Sequence, residues 1–256
     1  MALCLVTGQK GYIGQTLYTK LSELGHDVVG IDVKDGPQFD ILEGLEKLDK
    51  YDVDYVFHLA CIPRVAYSVE QPVHTMLNNV ISTSIVLDFA KRKNVKRVVY
   101  SGSSSVVGNG DGPASPYALQ KLTSELETKL YSNLYGIDTV SLRYFNVYSP
   151  DQKADSPYAT AVANWMRHIE DDGAFKGQNF DVGTGSNISL NEMKDIVNGY
   201  FPDVKFDYTD DRPGDVLSTK ADMQPLKNLG WSPKIQINDG ISDCFAQLKN
   251  KLESAA

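Results

Sequence analysis

Residues 3–14 read LCLVTGQKGYIG, a short apolar run followed by glycines at positions 8, 11 and 14. The apolar run is typical of a buried strand, and Ile13, Leu17 and Leu21 recur at the spacing of a helix that begins inside the glycine segment. Glycine suits such a turn because the backbone can then approach a phosphate group closely, at a helix N-terminus that favours negative charge. An ordinary tight turn could have the same residues, so the motif gains weight from its placement between a strand and a helix.

Strands and helices alternate along the first 150 residues. Helical spacing recurs at Ile81, Ile85 and Phe89, and again in the leucines at 122, 126, 130 and 134. This alternation predicts an α/β fold with a doubly wound parallel sheet of the Rossmann type, whose ligands bind at the carboxyl ends of the strands. The predicted strands cover residues 3–6, 28–31, 55–59, 95–100 and 139–142.

The pattern loosens after residue 150. We expect two units, a cofactor-binding domain at 1–150 and a small C-terminal α+β substrate lobe at 151–256, with residues near 179–185 returning to the first unit. The elements expected there are a loop at 151–157, helices at 160–170, 191–200 and 238–252, strands at 179–182 and 204–208, and a break at Pro213-Gly214.

The composition disfavours several classes of function. The 256 residues carry a formal net charge of −8, and the longest basic cluster is Lys91-Arg92-Lys93, so neither nucleic-acid nor membrane binding is expected. No apolar run approaches the roughly 18 residues that cross a bilayer, and we expect no signal peptide. Three scattered cysteines and four histidines have neither disulfide nor metal-ligand spacing, so we expect a cytoplasmic protein without a metal.

Asp32 follows the second predicted strand, where a carboxylate can accept hydrogen bonds from an adenosine ribose. Together with the glycine segment it predicts a dinucleotide site. A carboxylate at this position would repel a 2′-phosphate, which favours NAD over NADP. Lys34 lies close by in the sequence and keeps the second cofactor open as an alternative.

Tyr117 and Lys121 lie four residues apart, on one face of a predicted helix. Chance predicts about one such pair in this composition, so the pair gains meaning only from Ser101-Gly102-Ser103-Ser104-Ser105, which ends the strand upstream. A tyrosine with an ordinary pKa of about 10 is a poor base at neutral pH. A neighbouring ammonium and a positive nicotinamide ring would lower that pKa, and a serine hydroxyl would orient a sugar hydroxyl.

Further motifs accompany this pair. They are Phe39-Asp40-Ile41, His58-Leu59-Ala60, Asn79-Val80, Arg143-Tyr144-Phe145-Asn146-Val147-Tyr148-Ser149-Pro150, Arg212-Pro213-Gly214-Asp215 and Leu229-Gly230-Trp231-Ser232-Pro233. With residues 7–14 and the serine segment, they resemble the extended short-chain dehydrogenase/reductases, and within that group the nucleotide-sugar epimerase/dehydratase family. The resemblance spans nearly the whole chain.

The resemblance implies a role for individual residues. Ser103, Tyr117 and Lys121 would be catalytic, with Ser104 as the alternative to Ser103. Asn79 would support the active-site helix, although it could also cap a helix. The residues that would bind NAD are Gly8, Gly11, Tyr12, Ile13, Gly14, Asp32, Asp40, Ile41, Leu59, Ala60, Asn79, Ser101, Tyr117, Lys121 and Tyr144. The residues that would contact a nucleotide-sugar substrate are Ser103, Asn146, Arg212 and Asp215, of which Arg212 could instead form a surface ion pair.

The resemblance also implies a homodimer, formed by a bundle of residues 76–91 and 117–135 from each copy. The leucines at 122, 126, 130 and 134 would serve that contact, unless they face the chain's own sheet.

Two segments depart from the family pattern. The loop between Ser103 and Tyr117 is short, and residues 170–179 lack the insertion that normally enlarges the substrate lobe. We therefore expect an open lobe, with either weak substrate binding or a pocket completed by a partner subunit.

The serine segment separates the reactions of the family. The family's dehydratases and decarboxylases have a carboxylate just after the catalytic hydroxyl, whereas this chain has Ser104 and Ser105. We therefore expect an NAD-dependent epimerase that acts at C4 of an NDP-hexose, by oxidation to a ketosugar and re-reduction. The alternatives are another NDP-sugar oxidoreductase, such as a ketosugar reductase, and a non-catalytic NAD-binding protein.

Overall fold

The computed structural model describes residues 1–147, 175–207 and 218–255. Six parallel strands form one sheet in the order β2-β1-β3-β4-β5-β6, and helices flank it. The predicted doubly wound α/β sheet is thereby confirmed. The strands are β1 (Leu3–Thr7), β2 (Asp27–Ile31), β3 (Tyr55–His58), β4 (Arg97–Ser103), β5 (Asp138–Tyr144) and β6 (Gln178–Val182).

The helices follow the strands in the chain, as a parallel sheet requires. They are α1 (Tyr12–Glu23), α2 (Val65–Glu70), α3 (Pro72–Met76), α4 (Ser82–Arg92), α5 (Pro116–Tyr135), α6 (Leu190–Tyr200), α7 (Gln224–Asn228) and α8 (Ile237–Ala255). A π-helical turn, Leu77–Ile81, joins α3 to α4. Single 3₁₀ turns lie at Val33–Asp35, Pro37–Phe39, Ile41–Glu43, Glu46–Leu48 and Ser104–Val107.

Helix α5, which carries the Tyr117/Lys121 pair, has strong signals at both ends. The Ser115 hydroxyl accepts the Ala118 N–H at 3.2 Å, and Pro116 occupies the first helical position, where its missing N–H costs nothing. Gly136 ends the helix with a left-handed φ of +70°.

Both faces of the sheet are buried, because successive residues of each strand point to opposite sides. Cys4 packs with Leu17 of α1 on one face, whereas Leu5 packs with Phe89 of α4 on the other. Burial on both faces explains why the strands have continuous apolar runs.

The core on the face of the sheet that contains Cys4 and Leu17 also includes residues beyond position 150. Trp231 shares it with Cys4 of β1, and β6 pairs in parallel with β5. The re-entry of the chain before β6 is fixed by Asp138, whose carboxylate accepts the N–H groups of Phe175 and Lys176 at 2.8 and 3.0 Å.

The strand predicted at 204–208 is wrong where the structure describes it. Residues 204–207 form no strand, and Val204 and Phe206 are exposed. A segment exposed on both faces gains little from sheet pairing, so its alternation of apolar and charged residues is misleading. The helix expected at 160–170, the loop at 151–157 and Pro213-Gly214 lie outside the described residues.

Every helix in the described ranges is too short or too polar to cross a lipid bilayer.

Candidate active site

The glycine segment forms a tight turn between β1 and α1. Gly8 has a φ of +71°, and a Cβ on Gly14 would lie 2.1 Å from the Gly8 carbonyl oxygen, so neither position suits a larger residue. Gly11 precedes α1 without a side-chain cap, and Gln15 is the first residue whose N–H bonds the Gly11 carbonyl, at 3.0 Å. The amides of Tyr12, Ile13 and Gly14 therefore precede the helical ladder, and they suit the pyrophosphate of a dinucleotide.

Asp32 holds this loop in place. Its two carboxylate oxygens accept the backbone N–H groups of Lys10 and Lys34 at 2.8 and 2.9 Å, and the residue is 8% exposed. Each oxygen keeps a lone pair that could accept a ribose hydroxyl. The Lys10 ammonium pairs with Asp35, and the Lys34 ammonium donates to the Lys10 carbonyl at 2.8 Å.

The site continues at the carboxyl ends of β1 and β3, the neighbouring strands between which the order of the sheet reverses. This is the position at which doubly wound sheets bind their ligands. The N–H groups of Leu59 and Ala60, just after β3, donate to the Thr7 hydroxyl at 3.1 and 3.2 Å. Of the residues expected near adenine, Asp40 caps a 3₁₀ turn through the Leu42 N–H at 3.0 Å, and Ile41 is buried in the core.

The structure brings Ser103, Tyr117 and Lys121 together at the carboxyl end of β4. Tyr117 and Lys121 are 9% and 3% exposed. The Lys121 ammonium donates to the Ser101 carbonyl at 2.8 Å and lies 6.0 Å from the centre of the Tyr117 ring. The Ser103 side chain lies near Tyr117 and lowers its pKa, and the Ser103 hydroxyl lies 2.9 Å from that of Ser105.

Burial controls the electrostatics of this cluster. Burial raises the pKa of Tyr117 above its ordinary value, and the opposing effects of Lys121 and the Ser103 side chain are smaller. The Lys121 ammonium therefore acts in the expected direction, but desolvation of the phenolate outweighs it. Burial would lower the pKa of Lys121, but Cys61 and the two nearest tyrosines raise it, so the ammonium keeps its proton.

Tyr144 ends β5 directly beside Ser103 in the sheet register. Burial raises the pKa of Tyr144 to about 12, against smaller lowering effects of Ser101 and Lys121. Asn146 is exposed shortly after this strand. Arg212 and Asp215, which we expect to contact substrate, lie outside the described residues.

Asn79 lies inside the π-helical turn rather than at a helix start. Its side chain accepts the Ile62 N–H at 2.7 Å and donates to the Gln120 side chain at 2.8 Å, one residue from Lys121. π-Helical turns often occur at functional sites.

Three residues with contacts in the site had no role in the sequence-based prediction. Ser68 is fully buried and accepts the Tyr117 N–H at 3.0 Å, while Cys61 lies close enough to Lys121 to raise its pKa. His58 belongs to a quoted motif and is buried between two threonines. The sequence signal for His58 is a polar residue at the end of a buried strand, and Ser68 and Cys61 have no comparable signal. No group of three or more His, Cys, Asp or Glu side chains suited to a metal occurs within the described ranges.

Known proteins are similar over most of this chain. It is 29% identical to a protein of Methanocaldococcus jannaschii described as a putative UDP-glucose 4-epimerase, covering 97% of this chain and 99% of that one. It is 28% identical to a UDP-glucose 4-epimerase of Mycolicibacterium smegmatis, covering 96% and 98%. Both alignments exceed 300 positions, so these relatives contain residues without a counterpart among the 256 of this chain.

Solved structures agree with the fold. The structure of MoeE5 in complex with UDP-glucose and NAD superimposes with a TM-score of 0.84 at 27% identity, covering 97% of this chain and 99% of MoeE5. A model of the NAD dependent epimerase/dehydratase family matches residues 4–188, which is more than half of the sequence. The chain therefore belongs to the NAD-dependent epimerase/dehydratase family.

Proposed function

We propose that the protein interconverts two nucleoside-diphosphate hexoses that differ at C4, by transient oxidation to a ketosugar and re-reduction. The observation that carries the proposal is the buried cluster of Ser103, Tyr117 and Lys121 at the carboxyl end of β4. The relatives described as UDP-glucose 4-epimerases support the choice of C4 and of a nucleotide sugar.

Each member of the cluster has a task that its contacts suit. As a phenolate, which Lys121 and the positive nicotinamide ring of bound NAD would favour, Tyr117 accepts the proton of the sugar hydroxyl as that carbon is oxidised, and returns it during re-reduction. Ser103, which lies at the end of β4 near Tyr117, orients the sugar hydroxyl toward it. Lys121 remains charged and stabilises the phenolate when it forms, because a buried ammonium interacts strongly with a nearby anion.

The glycine turn and Asp32 suit the dinucleotide that this chemistry needs. Bound NAD would supply the hydride acceptor for the oxidation and the donor for the return step. The pyrophosphate would lie at the amides that open α1, and the adenosine ribose at Asp32. The other binding roles that the resemblance implies, including Tyr144 for the cofactor and Asn146, Arg212 and Asp215 for the substrate, belong to this proposal.

The residues after Ser103 favour epimerisation over elimination. Loss of water from a sugar needs an acid that protonates the leaving hydroxyl. Ser104 and Ser105 occupy the two following positions, and the Ser105 hydroxyl is bonded to that of Ser103. A serine is too weak an acid for that task, whereas oxidation and re-reduction at one carbon need no acid for a leaving hydroxyl, and Tyr117 is the only proton-transfer group required beside the cofactor.

The protein is proposed to act as a homodimer in the cytoplasm. Leu126, Leu130 and Leu134 of α5 are 57%, 51% and 62% exposed, so this stripe faces away from the sheet. Ile81, in the π-helical turn before α4, is also exposed. An apolar surface of this kind suits a helix bundle with a second copy.

The three free cysteines fit a reducing compartment. Residues 151–256 are proposed to supply the substrate lobe, apart from those near 179–185.

Isomer exchange tests the proposal. The protein is incubated with a panel of nucleotide sugars, and NMR follows the appearance of the C4 isomer. Tyr117→Phe keeps the ring but removes the group that exchanges the proton, so turnover should fall by about a hundredfold or more while NAD affinity changes little. Tyr131→Phe, on the same helix, is the matched control and should keep its activity. Retention of most activity by Tyr117→Phe would refute the mechanism.

A further inference from the structure

His58 ends β3 and is 2% exposed, with both ring nitrogens hydrogen-bonded. Its Nδ1 lies 2.8 Å from the hydroxyl of Thr7, and its Nε2 lies 3.1 Å from that of Thr83. The imidazole therefore connects the end of β1 with helix α4 across the sheet.

The surrounding bonds fix the direction of both contacts. The Thr83 hydroxyl donates to the Asn79 carbonyl at 2.8 Å, so its oxygen must accept the N–H of His58 Nε2. The Thr7 oxygen already accepts the N–H groups of Leu59 and Ala60, so its own proton must go to Nδ1. Only the neutral ring protonated at Nε2 satisfies both ends. Burial, aided by the charge of Lys121, lowers the pKa of His58 to about 3.

The two ends of this chain of bonds lie at different parts of the site. At one end, Thr7 holds the backbone after β3 close to Gly8. The approach is so close that a Cβ added to Gly8 would lie 2.9 Å from the Ala60 nitrogen. At the other end, the Asn79 carbonyl also accepts the Ser124 hydroxyl at 3.0 Å. The Asn79 side chain bonds Gln120 at 2.8 Å. Gln120 and Ser124 lie on either side of Lys121 in the sequence of α5, and all three are buried.

We propose that neutral His58 is a positioning residue, which transmits the position of the dinucleotide loop through Thr83 and Asn79 to the helix that carries Tyr117 and Lys121. The proposal rests on the proposed function for its effect on turnover. Its physical basis is that all these groups are buried, so breaking one bond leaves an unpaired polar atom and the helix shifts to relieve it. Misplacement of reacting groups by about 1 Å can lower a rate a hundredfold.

Two substitutions separate the ends of the chain. In His58→Asn the amide oxygen replaces Nδ1 as acceptor for Thr7, while the donor to Thr83 is lost. In His58→Gln the amide nitrogen replaces Nε2 as donor to Thr83, while the acceptor for Thr7 is lost. We expect His58→Asn to lower kcat about tenfold or more with an almost unchanged Kd for NAD. We expect His58→Gln mainly to weaken NAD binding.

A double-mutant cycle identifies the route. Thr83→Val removes the same link from its other side, so combining it with His58→Asn should lower kcat no further than either change alone. Thr83→Ser keeps the hydroxyl and should retain kcat. Thr128→Val removes a buried α5 hydroxyl that donates to the Ser124 backbone carbonyl, outside the proposed chain of side-chain bonds, and serves as the control that leaves kcat unchanged. Additive losses, or the same pattern of kcat and Kd changes in both His58 variants, would overturn the proposal.

Hydrogen exchange tests the coupling without turnover. NAD binding to the wild type should slow amide exchange in residues 117–124 of α5, and His58→Asn should clearly reduce that slowing although it still binds NAD. Equal protection in both proteins would overturn the proposal even if the enzyme is an epimerase. Conversely, absence of isomer exchange in the wild type would refute the proposed function and leave this measurement to decide the inference.

Discussion

Protonation of His58 at acidic pH should lower the free energy of unfolding by an amount that its pKa values give. The imidazole has a pKa of about 3 when buried and about 6.5 in an unfolded chain. The native state therefore binds fewer protons than the unfolded state, so the stabilisation is complete above about pH 6.5 and declines as the pH falls toward 3. One proton corresponds to about 1.4 kcal/mol per pH unit, so roughly 2 to 3 kcal/mol should be lost between about pH 7 and about pH 4.5.

Urea unfolding at several pH values, followed by tryptophan fluorescence, measures this loss. Other groups also titrate over the same range, so the comparison is with His58→Asn, which has no imidazole. The variant should be less stable at neutral pH, and the difference in unfolding free energy between the two proteins should shrink by roughly 2 to 3 kcal/mol on acidification. Parallel curves for the two proteins would mean that His58 takes up its proton as readily in the folded state as in the unfolded state, and the argument for a fixed neutral ring would fail.

Three further predictions concern the cofactor loop and the surface. Gly14→Ala should weaken NAD binding by about tenfold or more in calorimetric titrations, because the added Cβ would meet the Gly8 carbonyl. The control Gly199→Ala places its Cβ in open space on α6 and should slightly stabilise the fold in urea unfolding. NAD should bind roughly tenfold or more tightly than NADP in calorimetric titrations, because the carboxylate of Asp32 repels a 2′-phosphate, and equal affinities would contradict this. Leu130→Asp should convert the proposed dimer to a monomer in light scattering, and a wild-type monomer at micromolar concentration would refute the pairing.

The sequence predicted the sheet well because its strands are buried on both faces. Runs such as 3–6 and 28–31 contain no polar side chain, and the structure extends each of these strands by one residue. The spacing of Tyr117 and Lys121 fixed their common face on α5, since four residues complete about one helical turn. Local pattern was sufficient for both.

Properties that depend on distant contacts were not predictable in this way. The leucine at position 126 could have faced the sheet or the solvent, because a helix stripe does not say which side its neighbour covers. The pKa of Tyr117 depends on burial by segments far apart in the chain, and this effect exceeds that of Lys121. The bond directions at His58 required knowledge of Thr7 and Thr83 together.

The anchoring of the chain on either side of residues 148–174 has a consequence for engineering. Tyr144 is held in the sheet at the carboxyl end of β5, and Phe175 is held by Asp138 at the opposite end of the same strand. The 7 residues of β5 separate these two points by about 20 Å, a distance that as few as about seven extended residues can bridge. Segments of very different length could therefore be exchanged between the two anchors without altering the sheet. This interval is a natural graft site, where longer segments from related enzymes could be inserted to give the scaffold new substrate preferences.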